Sequence, residues 1–318
     1  MKYCSVKGLR ISRMTLGTAQ LGMDYGIANR IGQPDTKAAC QILKWALDLG
    51  INTFDTASDY GNSEEIIGTF FEKQRALFEM PIIVTKIPRI KPPVDTSFAQ
   101  IYDFIRDSLI SSASRLKMRQ IPIMLMHHAP DMTAYGRQVI ESLNKLKKEG
   151  LIKHAGISVY DPEEVKDFLR IGQLEVIEIP INLFDRRLLD QGLLVELAKK
   201  EILVLARSIF LQGLFFLDPN KLPAGLHPAE KPLRQLHHLS QETGISIEVL
   251  AVTFVRDLPG ISSLVIGVET VEQLERNVEI LNAPPLPERI NEKLAQDYSN
   301  IAEMIINPSL WDVERNKR

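Results

Sequence analysis

The chain has 318 residues, 45% hydrophobic and 25% charged, and its 38 Lys and Arg stand against 40 Asp and Glu for a formal charge of −2. This composition excludes a disordered or collagen-like chain, and no apolar run reaches the roughly 18 residues that suggest a membrane span. A charge near zero leaves no electrostatic footprint for nucleic acid or an anionic membrane, so a small-molecule partner is expected.

Only two cysteines are present, Cys4 and Cys40, and the opening MKYCSVKGLR has no secretory apolar stretch. No disulfide framework or export route is indicated, and the expected location is a reducing cytoplasm. The cysteines and histidines lack zinc spacing, so no metal is expected.

In chain order, Met14–Gly17 reads as a strand, followed by a helix from Thr36 to Leu49. Ala38, Ala39, Ile42, Leu43, Ala46 and Leu49 form its apolar stripe, with Asp35 able to cap its start and Gly50 its end. Further strands fit Ile51–Asp55, Ile82–Lys86, Ile121–Met126, His154–Ser158, Val176–Pro180, Leu203–Ser208 and Ser263–Gly267, with helical patterns between them. Runs such as IMLM, ILVLA and SLVIG are continuously apolar, as parallel strands buried on both faces require. Eight βα units predict a (β/α)8 TIM barrel occupying residues 1–318 as a single domain; an open doubly wound sheet is the alternative. The Pro- and Gly-rich stretch Leu217–Arg234 reads as a long loop after the seventh strand, on the rim where active sites are built. A helical tail extends from Pro287 to Arg318.

Chemistry-bearing residues fall at strand ends. Asp55 ends INTFD, with Tyr60 in the loop beyond; Lys86 ends IIVTK, and His127 follows IMLM. In a parallel barrel these ends converge on one mouth. A phenol is a poor acid at neutral pH, with an ordinary pKa of about 10, and an adjacent ammonium lowers that value. Asp55 is placed to hold the Lys86 charge in a partly dry site.

At these positions, and at LGTAQLG, DTASDYGNSEEIIG, VTK, LMHH, GISVYDPEEV, IPINLFDRR, RSIFLQGLF and VIGVETVEQLERNV in the same order, the sequence resembles the aldo-keto reductase superfamily. The resemblance covers nearly the whole chain. It implies a barrel preceded by a short β-hairpin at about Tyr3–Ile11, a nicotinamide cofactor across the C-terminal mouth, and a catalytic tetrad of Asp55, Tyr60, Lys86 and His127. Hydride would then pass to a carbonyl carbon while Tyr60 donates a proton and His127 orients the oxygen. Counting without gaps from Arg115 and Leu116 puts the family histidine at His127, although His128-Ala129-Pro130 imitates the usual end of that motif.

The resemblance also implies cofactor contacts at Ser158, Glu178, Arg207, Ser208, Leu211, Gly213, Gly267, Thr270, Gln273, Arg276 and Asn277. Some positions depart from the common pattern. Val159 stands where many members have Asn, Glu178 where Gln is usual, and Arg207 where an aromatic ring often stacks. Glu178 and Arg207 end adjacent strands about 4.8 Å apart, so a buried ion pair between them would make each charge tolerable. Many members bind the 2′-phosphate of NADP with a cation at the position of Gly267 or Gln273; here Arg276 is the nearby substitute. NADPH is the expected cofactor, with NADH open.

The function read from the sequence is NAD(P)H-dependent reduction of an aldehyde or ketone, or the reverse oxidation of an alcohol. A nicotinamide-binding regulatory or interaction subunit on the same fold is the alternative. A cofactor-free isomerase would leave VETVEQLERN without a purpose. The walls expected for substrate are Met23, Asp24 and Tyr25, then Pro88 and Arg89, His128 to Met132, and Trp311. They do not select a substrate, and oligomeric state is not legible.

Overall fold

The computed structural model describes residues 1–74 and 80–311. The last seven residues of the expected tail therefore lie outside the described residues.

The chain opens with an antiparallel hairpin, β1 (Tyr3–Val6) and β2 (Leu9–Ser12), in register Tyr3↔Ser12 to Val6↔Leu9. Its turn places Lys7 at φ 51° and Gly8 at φ 75°. Two successive positive φ angles match the right-handed strand twist, and Gly8 accepts one of them without a Cβ clash.

Eight parallel strands follow: β3 (Met14–Gly17), β4 (Thr53–Asp55), β5 (Ile82–Ile87), β6 (Ile121–Met126), β7 (Ile152–Ser158), β8 (Val176–Pro180), β9 (Leu203–Arg207) and β10 (Ser263–Gly267). They pair in sequence order, and β10 closes on β3 through Leu264↔Met14 to Gly267↔Gly17. The closed barrel rules out the open doubly wound sheet. Among the described residues, no helix is long and apolar enough to cross a membrane.

Local chemistry explains most boundaries. Asp35 accepts a hydrogen bond from the Ala38 N–H at 2.8 Å and starts the helix Thr36–Asp48; the next residues are Leu49, its cap, and Gly50 at φ 84°. Ser97 and Gln100 form a reciprocal capping box at the start of Phe98–Leu116. Four strand limits differ from the sequence reading, the third barrel strand running one residue further, to Ile87. The second barrel strand begins at Thr53 because Ile51 N–H still bonds Ala46 and the Asn52 side chain is tied to Arg10 and Ser12 of the hairpin. The fifth begins at Ile152, paired with Ile121, and the seventh stops at Arg207 because Ser208 turns to φ 61°.

Leu217–Arg234 is not an open loop. It contains a 3-10 turn at Ala224–Ala229, and the helix Glu230–Thr243 begins inside it. Leu222, Leu226 and Ala229 are buried, so apolar side chains bind the segment to the body of the protein.

Two apolar clusters fill the fold. The larger lies between strands and helices; the smaller, inside the barrel, joins Leu9 and Ile11 of the hairpin to Val84, Ile123, Leu125, Val176, Leu203 and Leu205. The hairpin thus plugs the N-terminal end, leaving the C-terminal mouth for chemistry.

Candidate active site

Strand alternation decides which residues reach the barrel interior. On β6, Ile123 and Leu125 belong to the inner cluster, whereas Met124 and Met126 pack outward. His127 continues the inward set: its N–H donates to the Ile87 carbonyl at 3.1 Å, carrying the ladder one step past β6, and its ring meets the edge of Tyr60 with centroids 5.9 Å apart. His128 falls on the other parity and binds Asp131 Oδ1 through Nδ1 at 2.8 Å. The same alternation follows inner Val84 with Lys86, Val176 with Glu178, and Leu205 with Arg207.

Lys86 is fully buried. Its Nζ donates to Asp55 Oδ1 at 2.6 Å, to the Thr56 carbonyl at 3.0 Å and to the Tyr60 hydroxyl at 3.5 Å, and lies 3.4 Å from Glu178 Oε2. Glu178 Oε1 accepts from Ser158 Oγ at 2.9 Å and lies 3.4 Å from Arg207 Nε. The two departures from the family pattern therefore meet as opposite charges. The Arg207 guanidinium also donates to the Val159 carbonyl at 2.8 Å and lies over the Tyr160 ring, 4.4 Å from its centroid.

These contacts set the protonation states. Burial would strip the charge from Lys86, but Asp55 and then Glu178 overcome it and hold the lysine above its ordinary value. Burial also pushes Asp55 up, reinforced by Glu178. Burial acts on Glu178 in the same sense, yet Lys86 and Arg207 outweigh it and hold that carboxylate below its usual range. The sequence suggests that Lys86 makes the Tyr60 phenol more acidic; here burial outweighs the ammonium and Tyr60 titrates well above an ordinary phenol. A dry site penalises phenolate, and Asp55 and Glu178 add their repulsion.

A cavity of about 430 Å3 opens beside this cluster, a size suited to small ligands. Asp55, Tyr60, Glu178, Arg207, Ser208 and Gly213 line it, as do Gly267, Gln273, Arg276 and Asn277. Lys86 and Ser158 lie buried behind the wall. Leu211 is fully buried at φ 48° and shapes the turn after β9, while the Thr270 hydroxyl accepts from the Gln273 N–H at 3.2 Å and caps the helix Val271–Leu281. Arg276 is exposed, with Glu279 3.4 Å away. Gly213 sits at φ 92°, and a Cβ there would come within 2.6 Å of the Ala28 side chain. Glycine is needed here for both conformation and clearance.

The aldo/keto reductase family model matches residues 13–296. The chain belongs to the aldo/keto reductase family. It is 26% identical to L-glyceraldehyde 3-phosphate reductase of Escherichia coli O157:H7, over 99% of this chain and 96% of the relative. It is also 26% identical to the NADH-specific methylglyoxal reductase of Escherichia coli K12, over 86% and 91%. An aldo-keto reductase of Bacillus halodurans, solved in its holo form, has the same fold with a TM-score of 0.72 and 22% identity, over 96% of this chain and 99% of that one.

Aldo/keto reductases are oxidoreductases that use nicotinamide cofactors, and the cavity of this reductase fits such a group. Glycines admit a close approach at Gly17, Gly213 and Gly267, and the wall presents two cations, Arg207 and Arg276. Several supporting residues escape sequence reasoning. A buried hydroxyl chain runs from Thr56 to Ser63 to Thr18, whose Oγ1 donates to the Asp55 carbonyl at 2.8 Å. It fixes the strand end that carries Asp55. Asp59 Oδ2 lies 3.4 Å from His127 Nδ1, and the hydrogen bond to His127 holds the Asp59 carboxyl below its ordinary value. Of these, Thr18 lies within LGTAQLG and the others within DTASDYGNSEE, but only their tertiary contacts reveal the network.

Proposed function

We propose that this reductase uses NADPH to reduce a small aldehyde or ketone, with Tyr60 as the proton donor. The observation that carries the reading is the Tyr60 hydroxyl 3.5 Å from a fully buried, carboxylate-paired Lys86 at the edge of the glycine-lined cavity. When bound, the nicotinamide supplies hydride to the carbonyl carbon. Tyr60 protonates the carbonyl oxygen, and Lys86 stabilises the phenolate left behind. Asp55 holds Lys86 in position. His127, packed against the phenol edge, orients the carbonyl and stabilises charge developing on its oxygen.

Ser158, Glu178 and Arg207 surround the nicotinamide end of the proposed cofactor site. Ser208, Leu211 and Gly213 shape the pyrophosphate segment, and Gly267, Thr270, Gln273, Arg276 and Asn277 the adenosine end. Arg276 supports NADPH over NADH because, among the described residues that line the cavity, its guanidinium is a cation beside Gln273 and Asn277 for a 2′-phosphate. A cytoplasmic location agrees with free Cys4 and Cys40.

Tyr60→Phe tests the reading. Carbonyl reduction should fall by at least about 100-fold while NADPH still binds, measured by steady-state kinetics and fluorescence titration. A variant that keeps most of its kcat would remove Tyr60 from the proton-donor role.

A further inference from the structure

Glu178 is a buried carboxylate at a position where the family resemblance leads one to expect an amide. Oε1 receives the Ser158 hydroxyl; buried Oε2 lies 3.4 Å from Lys86 Nζ, and the Glu178 carboxyl is also coupled by a side-chain hydrogen bond to Asp55. Lys86 therefore stands between two carboxylates, Asp55 at 2.6 Å and Glu178 at 3.4 Å, with the Tyr60 hydroxyl on the same ammonium at 3.5 Å.

A neutral amide at this position would leave the ammonium one counter-ion. A carboxylate adds an acidic partner that Lys86 and Arg207 hold ionised while Asp55 is pushed up, so the net field that Lys86 projects onto the phenol is reduced. Arg207 does not restore it fully, because its charge is directed at the other Glu178 oxygen, at the Val159 carbonyl and at the Tyr160 ring. The charged and titratable groups around Tyr60 are Lys86 on β5, Asp55 on β4, Glu178 on β8, Arg207 on β9, His127 beyond β6 and Tyr25 beyond β3. Among them, Glu178 is the carboxylate that an isosteric amide can replace while Lys86 keeps its direct bond to Asp55, and the amide also removes the charge that raises Asp55.

We propose that Glu178 is a positioning residue that acts through Lys86: as its second counter-ion it screens the ammonium from Tyr60 and reserves the phenol for proton donation, favouring carbonyl reduction over alcohol oxidation. The inference rests on the reading of Tyr60 as proton donor. In reduction, hydride bonds to the carbonyl carbon, the C=O π pair moves to oxygen, and that oxygen takes the Tyr60 proton. The nicotinamide is oxidised, the carbonyl is reduced, and water reprotonates the phenolate. Alcohol oxidation starts from phenolate, the form that Glu178 makes scarce.

The test is the ultraviolet tyrosinate titration of the cofactor-free protein from pH 8 to 11, followed by pH profiles for both reaction directions. Wild type minus Tyr60→Phe should show no titrating phenol in that range. Glu178→Gln minus Glu178→Gln/Tyr60→Phe should show tyrosinate forming by pH 11, because removing a neighbouring charge moves the titration to lower pH. The alkaline rise of kcat/KM for alcohol oxidation should move to lower pH in Glu178→Gln by a similar amount. If that variant does not fold, Glu178→Gln/Arg207→Met removes both charges without adding a phenol and should give a smaller shift of the same sign. An unchanged Tyr60 titration in whichever variant folds overturns the role of Glu178, even if Tyr60→Phe is inactive. An active Tyr60→Phe protein overturns the proton-donor reading instead.

Discussion

The two ends of the barrel are built from the same strands and the same inward-facing set, yet they are chemically opposite. At the N-terminal end, Leu9 and Ile11 of the hairpin meet Ile123, Val176 and Leu203 in a dry apolar plug. One or two alternations further along, the inward positions become Lys86, His127, Glu178 and Arg207. The plug obtains its stability from area removed from water, roughly independent of pH, whereas the mouth holds buried charges that are tolerable only together. Stability and chemistry are thus separated along the barrel axis.

The largest expected effects test that separation directly. Lys86→Met leaves Asp55 and Glu178 without their shared cation, so stability should fall by about 3–5 kcal/mol at pH 8. The sign with pH follows from the carboxyls: without the ammonium their folded pKa values rise, so the penalty grows as pH rises through them and shrinks toward pH 5. Ile123→Ala in the plug should cost a similar 2–5 kcal/mol, equal at pH 5 and pH 8, while the folded fraction keeps its kcat. Denaturant melts at both pH values check the pair; equal pH dependence in the two variants would break the comparison.

The histidines sharpen it within one strand. His127→Ala should lower kcat by about 100-fold, as expected for loss of an oxyanion donor. His128→Ala, whose ring is tied to Asp131, should change mainly KM or substrate preference. The opposite pattern in steady-state kinetics would place the catalytic imidazole on the outward parity.

The smallest effect is expected at an exposed cation of the cavity wall. Arg276→Ala should weaken NADPH binding by about 1.5 kcal/mol and leave NADH nearly unchanged, since a charge-assisted contact to phosphate is lost. Isothermal titration with both cofactors checks it. Equal losses would move recognition of the 2′-phosphate elsewhere.

Much of the fold was legible before the structure, because buried parallel strands and amphipathic helices write their periods into the chain. Met14–Gly17, Ile121–Met126, Val176–Pro180 and Ser263–Gly267 match the observed limits to the residue. The candidate site was legible in two ways: Asp55 and Lys86 stand at strand ends that converge in a barrel, and Glu178 and Arg207 fall at positions marked by the family resemblance.

What the amino-acid order determined by itself was therefore local: the period of each element, the cap at Asp35, and the charges placed where strands end. Tertiary structure decided the rest. Leu217–Arg234 has the composition of a loop, but long-range apolar contacts at Leu222, Leu226 and Ala229 bind it down. The acidity of Tyr60 depends on a balance among burial, Lys86, Asp55 and Glu178, and these groups come from three strands. Coulomb energy and desolvation depend on distances and dielectric surroundings, which sequence spacing does not encode and barrel closure sets.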